Sequence, residues 1–321
     1  MKIGMILDAI YPSDARVTNE CEELIKNGHE VYLFCVSFQK NYIKSEIING
    51  IKVRRYYCSS LTYKLSALAN DFPLYSILMK SKIKDFVHKN NIDRMHIHDI
   101  QIVKAAVDVC KKYNLKYTLD LHENRHEIMK SYKHVNSLLG KLLISIKRWK
   151  KAEEEYISKA EKVIVVTNQA KKEITERCKI SNENVVVYPN TVKKSFYQNK
   201  DYDHDLKKKY ANNYVLLYIG NTSERRGLDT VLDSMISLAK EVPEIKLIII
   251  GKSSYDHKIK SKIKKLKISS LVDFVGWQKE EDLYKYLLIS DIGLSPLYRN
   301  QHHDTTYANK IFQYISFLFL C

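Results

Sequence analysis

The chain of 321 residues lacks any long apolar run. No stretch approaches the ~18 consecutive residues that a membrane-spanning helix needs. Only five apolar or small residues lie between Lys2 and Asp8, too few for the apolar region of a secretory leader. These absences predict a cytoplasmic protein without a membrane span.

Closely spaced cysteines are also missing. The six cysteines lie far apart, with no Cys-x-x-Cys pair, at Cys21, Cys35, Cys58, Cys110, Cys178 and Cys321. A disulfide framework or a zinc site would need regular, shorter spacings. No group of His, Cys, Asp and Glu has metal-ligand spacing along the sequence either. We therefore predict a reducing compartment and no bound metal.

The loop after the first apolar run contains no Gly-x-Gly-x-x-Gly. That glycine turn brings the backbone against the pyrophosphate of NAD or FAD. Its absence argues against a dinucleotide-dependent enzyme, and we expect no cofactor.

Negative charge is scarce relative to positive charge. The chain has 53 Lys and Arg against 37 Asp and Glu, a formal net charge of +16. Such an excess favours an anionic partner: nucleic acid, a membrane surface or a phosphorylated substrate. The lysines are spread over both halves and no zinc finger or RNP-like motif is present, so nucleic acid is not an expected partner.

The chain alternates between short apolar runs and helical stretches, and 45% of its residues are apolar. Apolar runs of this length are typical of parallel strands that are buried on both faces. In the first half the predicted strands are 3–7, 30–36, 53–57, 94–98, 116–121, 163–167 and 184–188. The predicted helices there include 20–26, 75–90, 102–113 and 138–160. This alternation predicts a doubly wound α/β sheet with right-handed crossovers.

The pattern breaks at Pro189-Asn190-Thr191, and a polar, charged stretch follows as far as Asn213. The alternation then restarts, with predicted strands at 214–219, 246–250, 272–275 and 291–295. Predicted helices cover 228–241, 258–266, 280–289 and a segment from about residue 308. We predict two Rossmann-like, doubly wound parallel-sheet domains, at residues 1–190 and 191–321.

Candidate site residues of the first domain follow its strands, because ligands bind beyond the carboxyl ends of parallel strands. His122 directly follows a predicted strand, where it either donates to a hydroxyl or orients an acceptor, or bonds a neighbouring loop. Asp14 and Arg16 either contact a substrate or cap the following helix. His96 and His98 are weaker candidates, because one of two alternating residues can belong to the core.

In the second half, the turn from Gly220 to Leu228 closes a predicted strand and opens a helix. Backbone N–H groups at a helix start, together with Arg226, form a site that suits the oxygens of a diphosphate. The alternative is an exposed charged turn. Gly251 and Gly276 also close strands, where they either let a ligand approach the backbone or simply make turns.

In their order and spacing, these segments resemble glycosyltransferase family 4, retaining enzymes of the GT-B fold. The resemblance extends over essentially the whole chain and rests on segments 11–17, 26–31, 120–123, 163–167, 187–190, 220–227 and 291–296. It implies metal-independent transfer of a sugar from a nucleotide-diphosphate donor to a saccharide or lipid-linked acceptor. Cell-surface polysaccharide or glycolipid biosynthesis is the setting that it implies.

The resemblance also implies roles for individual residues. His122 takes the position of the histidine at the catalytic centre of the family, and Asp14 and Arg16 lie on the acceptor side. The donor-binding residues that it implies are Gly220, Asn221, Arg226, Gly276, Asp304, Thr305 and Gln313.

The donor side departs from the family pattern. Asn221 replaces the basic residue that usually follows the first glycine of the phosphate turn, and Arg226 replaces the usual lysine before its last glycine. The paired glutamates fall on Thr305, beside Asp304, and on Gln313. Gln313 can still accept hydrogen bonds from a ribose, and Thr305 can bond a sugar hydroxyl. Residues 302–310 are similar to a subgroup variant of the family.

The family continues beyond Phe317 with a Gly-Lys-Pro turn, a strand and further helices. This chain instead ends in Leu318, Phe319, Leu320 and Cys321. We therefore expect a C-terminally truncated donor domain with little transferase activity, and an intact short form is the alternative.

Two other functions remain open. A sugar-nucleotide epimerase can share this fold. An inactive partner protein on the inner face of the membrane is the second, because residues 138–151 (LLGKLLISIKRWKK) combine helically spaced apolar residues with a basic flank. Such a helix more often packs on its own sheet.

Overall fold

The computed structural model describes residues 1–12, 14–198 and 200–317. These residues form two compact units, one of Met1–Pro189 with Asp304–Thr306, and one of Asn190–His303 with the segment that starts at Tyr307. Leu318, Phe319, Leu320 and Cys321, on which the expected truncation rests, lie outside the described residues.

The first unit is built on an eight-stranded sheet. Its strands are β1 (Lys2–Ile6), β2 (Glu30–Ser37), β3 (Ser45–Ile48), β4 (Ile51–Tyr57), β5 (Arg94–His98), β6 (Tyr117–Leu121), β7 (Lys162–Val165) and β8 (Val185–Val187). They lie in the order β3-β4-β2-β1-β5-β6-β7-β8, and every pairing is parallel except that of β3 with β4. Its helices are α1 (Ala15–Lys26), α2 (Ser60–Lys64), α3 (Leu74–Asn90), α4 (Val103–Tyr113), α5 (Arg125–Met129), α6 (Lys133–Asn136), α7 (Leu138–Leu143), α8 (Ile146–Lys159) and α9 (Asn168–Cys178).

Strand β1 shows why this sheet is covered on both faces. Ile3 and Met5 belong to one apolar cluster, whereas Ile6 belongs to another, together with Phe34 of β2. Successive side chains of a strand point to opposite faces, so an apolar run of this kind needs helices on both sides of the sheet. The predicted doubly wound α/β architecture is confirmed in this unit.

The second unit has a four-stranded sheet. Its strands are β9 (Tyr214–Ile219), β10 (Ile245–Ile250), β11 (Val272–Gly276) and β12 (Ile292–Gly293). They lie in the order β11-β10-β9-β12, and all pairings are parallel. The helices from residue 194 onward are α10 (Lys194–Tyr197), α11 (His204–Lys209), α12 (Leu228–Glu241), α13 (Asp256–Lys265), α14 (Leu283–Leu287), α15 (Gln301–Asp304) and α16 (Asn309–Ile315). β9 alternates between two apolar clusters, as β1 does, so this sheet is also doubly wound.

The structure corrects several predicted elements. The predicted helix 138–160 is two helices, because Ile144 takes an extended conformation and the Ser145 side chain accepts from Arg148 N at the start of α8. The predicted helix 280–289 is a 3₁₀ turn followed by α14, and the predicted strand 291–295 is reduced to β12. The antiparallel strand β3 was not predicted. No helix in the described ranges is both long and apolar enough to cross a bilayer.

Candidate active site

The first unit concentrates charged groups around one buried carboxylate at the carboxyl end of β6. Asp120 is fully buried, and its Oδ1 accepts from Nη2 of Arg16 at 2.9 Å. Its Oδ2 accepts from Nε of Arg16 at 3.1 Å and from Nε2 of His122 at 3.2 Å, and it lies 3.2 Å from Nδ1 of His98. A buried charge needs partners of this kind to offset its lost hydration. Asp120 therefore fixes the positions of Arg16, His98 and His122.

Arg16 and Asp14, the two acceptor-side candidates, have different surroundings. The Arg16 guanidinium is buried and also donates to the carbonyl oxygen of Tyr188 at 2.7 Å. Asp14 caps α1, since its Oδ1 accepts from the backbone N–H groups of Arg16 and Val17. Its other oxygen lies 4.0 Å from Nδ1 of His122. The capping interpretation thus describes one oxygen of Asp14, and the second faces the histidine.

His122 is a cation in this setting. Burial by itself would lower its pKa, but the carboxylates of Asp99 and Asp120 raise the pKa of His122 to about 10. The contacts with His122 in turn hold the pKa of Asp120 well below its usual range, although burial opposes this. At neutral pH His122 is therefore a hydrogen-bond donor and is not available as a general base.

Two histidines and a glutamate complete the buried network around Asp120. The rings of His96 and His98 stack with centroids 4.6 Å apart, and both side chains are buried. Burial lowers the pKa of His98 to about 3, while burial and the neighbouring Asp120 raise the pKa of Glu20 to about 9. His98 and Glu20 are consequently neutral at pH 7.

Glu20, His96, His98 and Asp120 are also a group that could hold a metal ion, with ligand atoms within 4.8 Å of one another. Sequence spacing did not reveal this group, because the fold brings the four residues together from three separate elements. The guanidinium of Arg16 already lies beside both carboxyl groups, 3.1 Å from Oε1 of Glu20 and 2.9 Å from Oδ1 of Asp120. In this arrangement the guanidinium already supplies positive charge beside both carboxyl groups.

The second unit places its candidate residues at the carboxyl ends of β9, β10 and β11. Gly220, Gly251 and Gly276 follow or end these neighbouring strands, and Gly251 N donates to the carbonyl oxygen of Gly276 at 2.8 Å. All three have positive φ values. A Cβ at Gly251 would lie 1.8 Å from the carbonyl oxygen of Gly220, so no larger residue fits this close approach.

The turn after Gly220 leads directly into α12. Gly227, at φ 76°, is the N-cap, and no described side chain caps the helix there. The first N–H groups of a helix lack partners within the helix, so this end can accept an anion. Asn221 shapes the turn, because its Oδ1 accepts from Ser223 N at 2.9 Å and its carbonyl oxygen accepts from the Tyr218 hydroxyl at 2.6 Å.

Lys310 of α16 reaches the same turn, and sequence analysis did not single it out. The side chain is only 7% exposed, and Nζ lies 3.5 Å from the centroid of the Tyr218 ring. Nζ is also 3.6 Å from the position that a Cβ on Gly220 would take. Burial and the nearby charge of Arg226 lower the pKa of Lys310 to about 6. The only available signal was its place in the segment 302–310.

The remaining donor-side candidates lie in two places. Gln313 is half-buried, three residues beyond Lys310 on α16, so the two side chains share one face of the helix. Asp304 and Thr305 group with the first unit, although they fall within residues 191–321. There the carbonyl oxygen of Thr305 accepts from Oγ1 of Thr167 at 2.8 Å.

Two family profiles match the chain. Glycosyltransferase Family 4 matches residues 15–196, and Glycosyl transferases group 1 matches residues 199–302.

Individual proteins are similar to the chain as well. An uncharacterized glycosyltransferase of Methanocaldococcus jannaschii is 27% identical over 54% of this chain and 40% of its own length. N-acetyl-alpha-D-glucosaminyl L-malate synthase of Bacillus anthracis is 21% identical over 85% of this chain and 66% of its own length. The chain thus spans less than two thirds of either relative.

Solved structures support the fold. The E. coli structure of trehalose-6-phosphate bound with UDP-2-fluoro glucose superposes with a TM-score of 0.75 at 13% identity, over 99% of this chain and 82% of the other. The family profile at residues 15–196 covers more than half of the chain. The chain therefore has the GT-B fold and belongs to Glycosyltransferase Family 4.

Proposed function

We propose that this protein transfers a sugar from a nucleoside-diphosphate sugar to a saccharide or lipid-linked acceptor, with retention of anomeric configuration and without a metal ion. Cell-surface polysaccharide or glycolipid biosynthesis is the proposed setting. The observation that carries the proposal is the turn at residues 220–227, which combines the uncapped start of α12 with Arg226 in a chain of this family.

The donor's diphosphate is the group that this turn suits. Helix N–H groups and a guanidinium both bind phosphate oxygens, and the fork of an arginine matches two of them at once. The glycines at 220, 251 and 276 keep the strand ends free of side chains, so a nucleotide can approach the backbone. The E. coli structure bound with UDP-2-fluoro glucose supports a uridine nucleotide as the first probe.

The proposed chemistry relies on fixed charges. As the bond between sugar and diphosphate breaks, negative charge develops on the leaving group, and Arg226 and the helix start stabilise it. In the first unit, His122 donates a hydrogen bond to a sugar or acceptor oxygen as an imidazolium that Asp120 holds in position. Positioning and electrostatic stabilisation supply the catalysis in this scheme.

Calorimetry with UDP and GDP tests the donor site. Wild-type protein should bind at least one of them, and Arg226→Ala should weaken that binding about 10- to 100-fold, as expected for a lost charge-assisted hydrogen bond. Lys265→Ala, which removes an exposed positive charge from the end of α13, is the matched control and should bind like wild type. Equal affinity in wild type and Arg226→Ala would refute the donor-site assignment.

Two further measurements test the finer parts of the proposal. The anomeric configuration of the product, read by NMR, should match that of the donor sugar. Turnover should survive treatment with a chelator. Inversion would contradict the retaining mechanism, and loss of turnover that Mg²⁺ or Mn²⁺ restores would contradict metal independence.

We also propose that the first unit contacts an anionic bilayer surface through α7. Leu138, Leu139 and Leu142 are 91%, 70% and 77% exposed, so this part of the predicted apolar stripe does not pack on the sheet. The later part does, since Trp149 belongs to the core of the first unit. Exposed apolar side chains of this size within one short helix mark an interaction surface. Lys141 lies within α7 and Lys147 lies early in α8, and both are exposed.

A second apolar segment is held beside this helix pair. Asp71 accepts from Ser145 N at 3.1 Å and from Nε1 of Trp149 at 3.1 Å. The neighbouring Phe72 and Leu74 are 45% and 51% exposed. Apolar groups flanked by lysines suit insertion among anionic headgroups, where each basic residue adds about 1 kcal/mol.

Vesicle flotation tests this contact. Wild-type protein should float with vesicles that contain phosphatidylglycerol and less with pure phosphatidylcholine. The triple variant Leu138→Ser/Leu139→Ser/Leu142→Ser should not float. The control, Ile47→Ser/Leu61→Ser, removes two equally exposed apolar side chains elsewhere in the first unit and should float normally. Equal flotation of both variants would refute the proposed surface.

A further inference from the structure

Lys310 is an unusual buried group because its amine contacts an aromatic ring but is not hydrogen-bonded to any described residue. Its Nζ has no hydrogen-bond partner among the described residues, and the side chain is more than nine-tenths buried. An amine removed from water without a hydrogen-bond partner costs free energy, so the burial of Lys310 lowers the free energy of unfolding. Such a cost points to a partner that is supplied from outside.

The surroundings of Lys310 indicate what that partner is. The groups that face its amine are the Tyr218 ring on β9 at 3.5 Å, Gly220 at the end of that strand, and the charge of Arg226 in the turn. No carboxylate among the described residues forms an ion pair with it. A guanidinium and a protonatable amine beside a helix start that no described side chain caps form a site for a multiply charged anion.

The identity of residue 221 gives Lys310 a specific place in the donor site. Asn221, beside Gly220, is uncharged, and its side chain is engaged in the turn itself through Ser223 N. The turn therefore offers Arg226 as a phosphate-binding cation but has no cation at its first position. Once protonated, Lys310 brings a second positive charge to the same glycine from a different element, α16.

We propose that Lys310 is a donor-binding residue that contacts the diphosphate of the nucleotide and takes up a proton when the diphosphate binds. This inference rests on the proposed function, since it assigns a further ligand to the same site. In the empty protein the amine is mostly neutral at pH 7.5, because burial and Arg226 lower its pKa to about 6. A bound diphosphate places negative charge beside the amine and favours its protonated form, so the proton comes from solvent.

The sign of the pH dependence follows. Below pH 6 the amine of the empty protein is already protonated, and Lys310 contributes fully to binding. As the pH rises above 6, binding must also protonate the amine, and the contribution of Lys310 to affinity falls. The ratio of wild-type to Lys310→Met affinity should therefore decrease from pH 6 to pH 8.5. Protonation of the free nucleotide affects the two proteins equally, so it does not change this ratio.

Calorimetry with UDP and GDP at pH 7.5, in buffers with different ionisation enthalpies, counts the protons taken up. Wild-type protein should take up about one proton per nucleotide more than Lys310→Met does. Lys310→Met should bind about 10- to 100-fold more weakly. The ligand-free variant should melt at the same or a higher temperature, because it no longer buries an amine. Lys265→Met, which removes an exposed lysine, should match wild type in every measurement.

The outcomes separate the two proposals. If wild type binds a nucleotide and Arg226→Ala weakens it, while Lys310→Met leaves affinity and proton uptake unchanged, the role of Lys310 is refuted and the donor site stands. If wild type binds neither UDP nor GDP, the proposed function fails, and the inference fails with it. A lower melting temperature for Lys310→Met, with unchanged affinity, would show that the lysine serves folding.

Discussion

The two units treat buried charge in opposite ways. In the first unit Asp120 is matched by the guanidinium of Arg16 and the imidazolium of His122. In the second unit Lys310 is buried almost as deeply, yet its amine has no hydrogen-bond partner among the described residues. A matched buried network fixes side chains in one geometry, whereas a buried amine without a hydrogen-bond partner can bind an anionic ligand.

The residues around Asp120 and those around Lys310 therefore have different roles. Both oxygens of Asp120 accept hydrogen bonds without a ligand, so the role of this carboxylate is to orient His122. The amine of Lys310 has no hydrogen-bond partner among the described residues, so the proposed role of Lys310 is in binding. Substitutions should accordingly destabilise the first unit and weaken ligand binding in the second.

Removal of the central carboxylate should have the largest effect. Asp120→Asn keeps the shape of the side chain but removes the negative charge to which both Arg16 and His122 donate. We expect the free energy of unfolding of the first unit to fall by roughly 3–5 kcal/mol, the usual cost of one lost partner of a buried ion pair. Urea denaturation, followed by circular dichroism, measures this loss.

The control for this variant is Asp108→Asn. Asp108 pairs with Lys80 at 3.3 Å, but both side chains are substantially exposed to solvent. Surface ion pairs of this kind contribute about 0–1 kcal/mol. Similar losses from the two substitutions would show that Asp120 is not the centre of the network.

The second prediction concerns the orientation of His122. His122→Gln should reduce turnover about 100-fold, as expected for one lost donor to a developing charge. Stability should fall by only about 1 kcal/mol, because Arg16 still neutralises Asp120. Release of UDP from UDP-glucose, together with urea denaturation, separates the two effects. His134→Gln, at an exposed histidine of α6, is the control. A large loss of stability with full turnover would mean that His122 serves the fold alone.

Sequence patterns predicted the sheets well, because strand position depends on local apolar runs. The bounds of β9 and α12 agree with the predicted 214–219 and 228–241. Strand β3 was not predicted, because its residues, Ser45 to Ile48, alternate between half-buried and exposed positions and form no apolar run. The break between α7 and α8 escaped because apolar residues continue at helical spacing across Ile144 and Ser145.

The candidate site could be predicted only in part. His122 was found from its position after a strand, which is a local feature. The matching of Arg16 by Asp120 could not be foreseen, because the two residues meet only when β1 and β6 flank β5 in one sheet. Lys310 was missed for a similar reason. A lysine is usually exposed, and only the fold shows that this one is buried against Tyr218 and Gly220.

The smallest expected effect concerns the protonation state of Glu20, the second carboxyl group of the network around Asp120. Burial and the charge of Asp120 raise the pKa of Glu20 to about 9. In the unfolded chain the group titrates near its ordinary value of about 4.5. Between these two values the folded protein holds a proton that the unfolded chain has released, so Glu20 makes stability fall as the pH rises through this window.

Glu20→Gln keeps the neutral shape at every pH and removes that loss. The variant should nearly match wild type at pH 4.5 and exceed it by about 2 kcal/mol at pH 6, because each pH unit above the ordinary value costs the wild-type protein about 1.4 kcal/mol while Glu20 keeps its proton. Urea denaturation of both proteins at several pH values measures the difference. A difference that does not change with pH would show that Glu20 is already ionised in the folded protein, and the network around Asp120 would then contain two buried carboxylates in place of one.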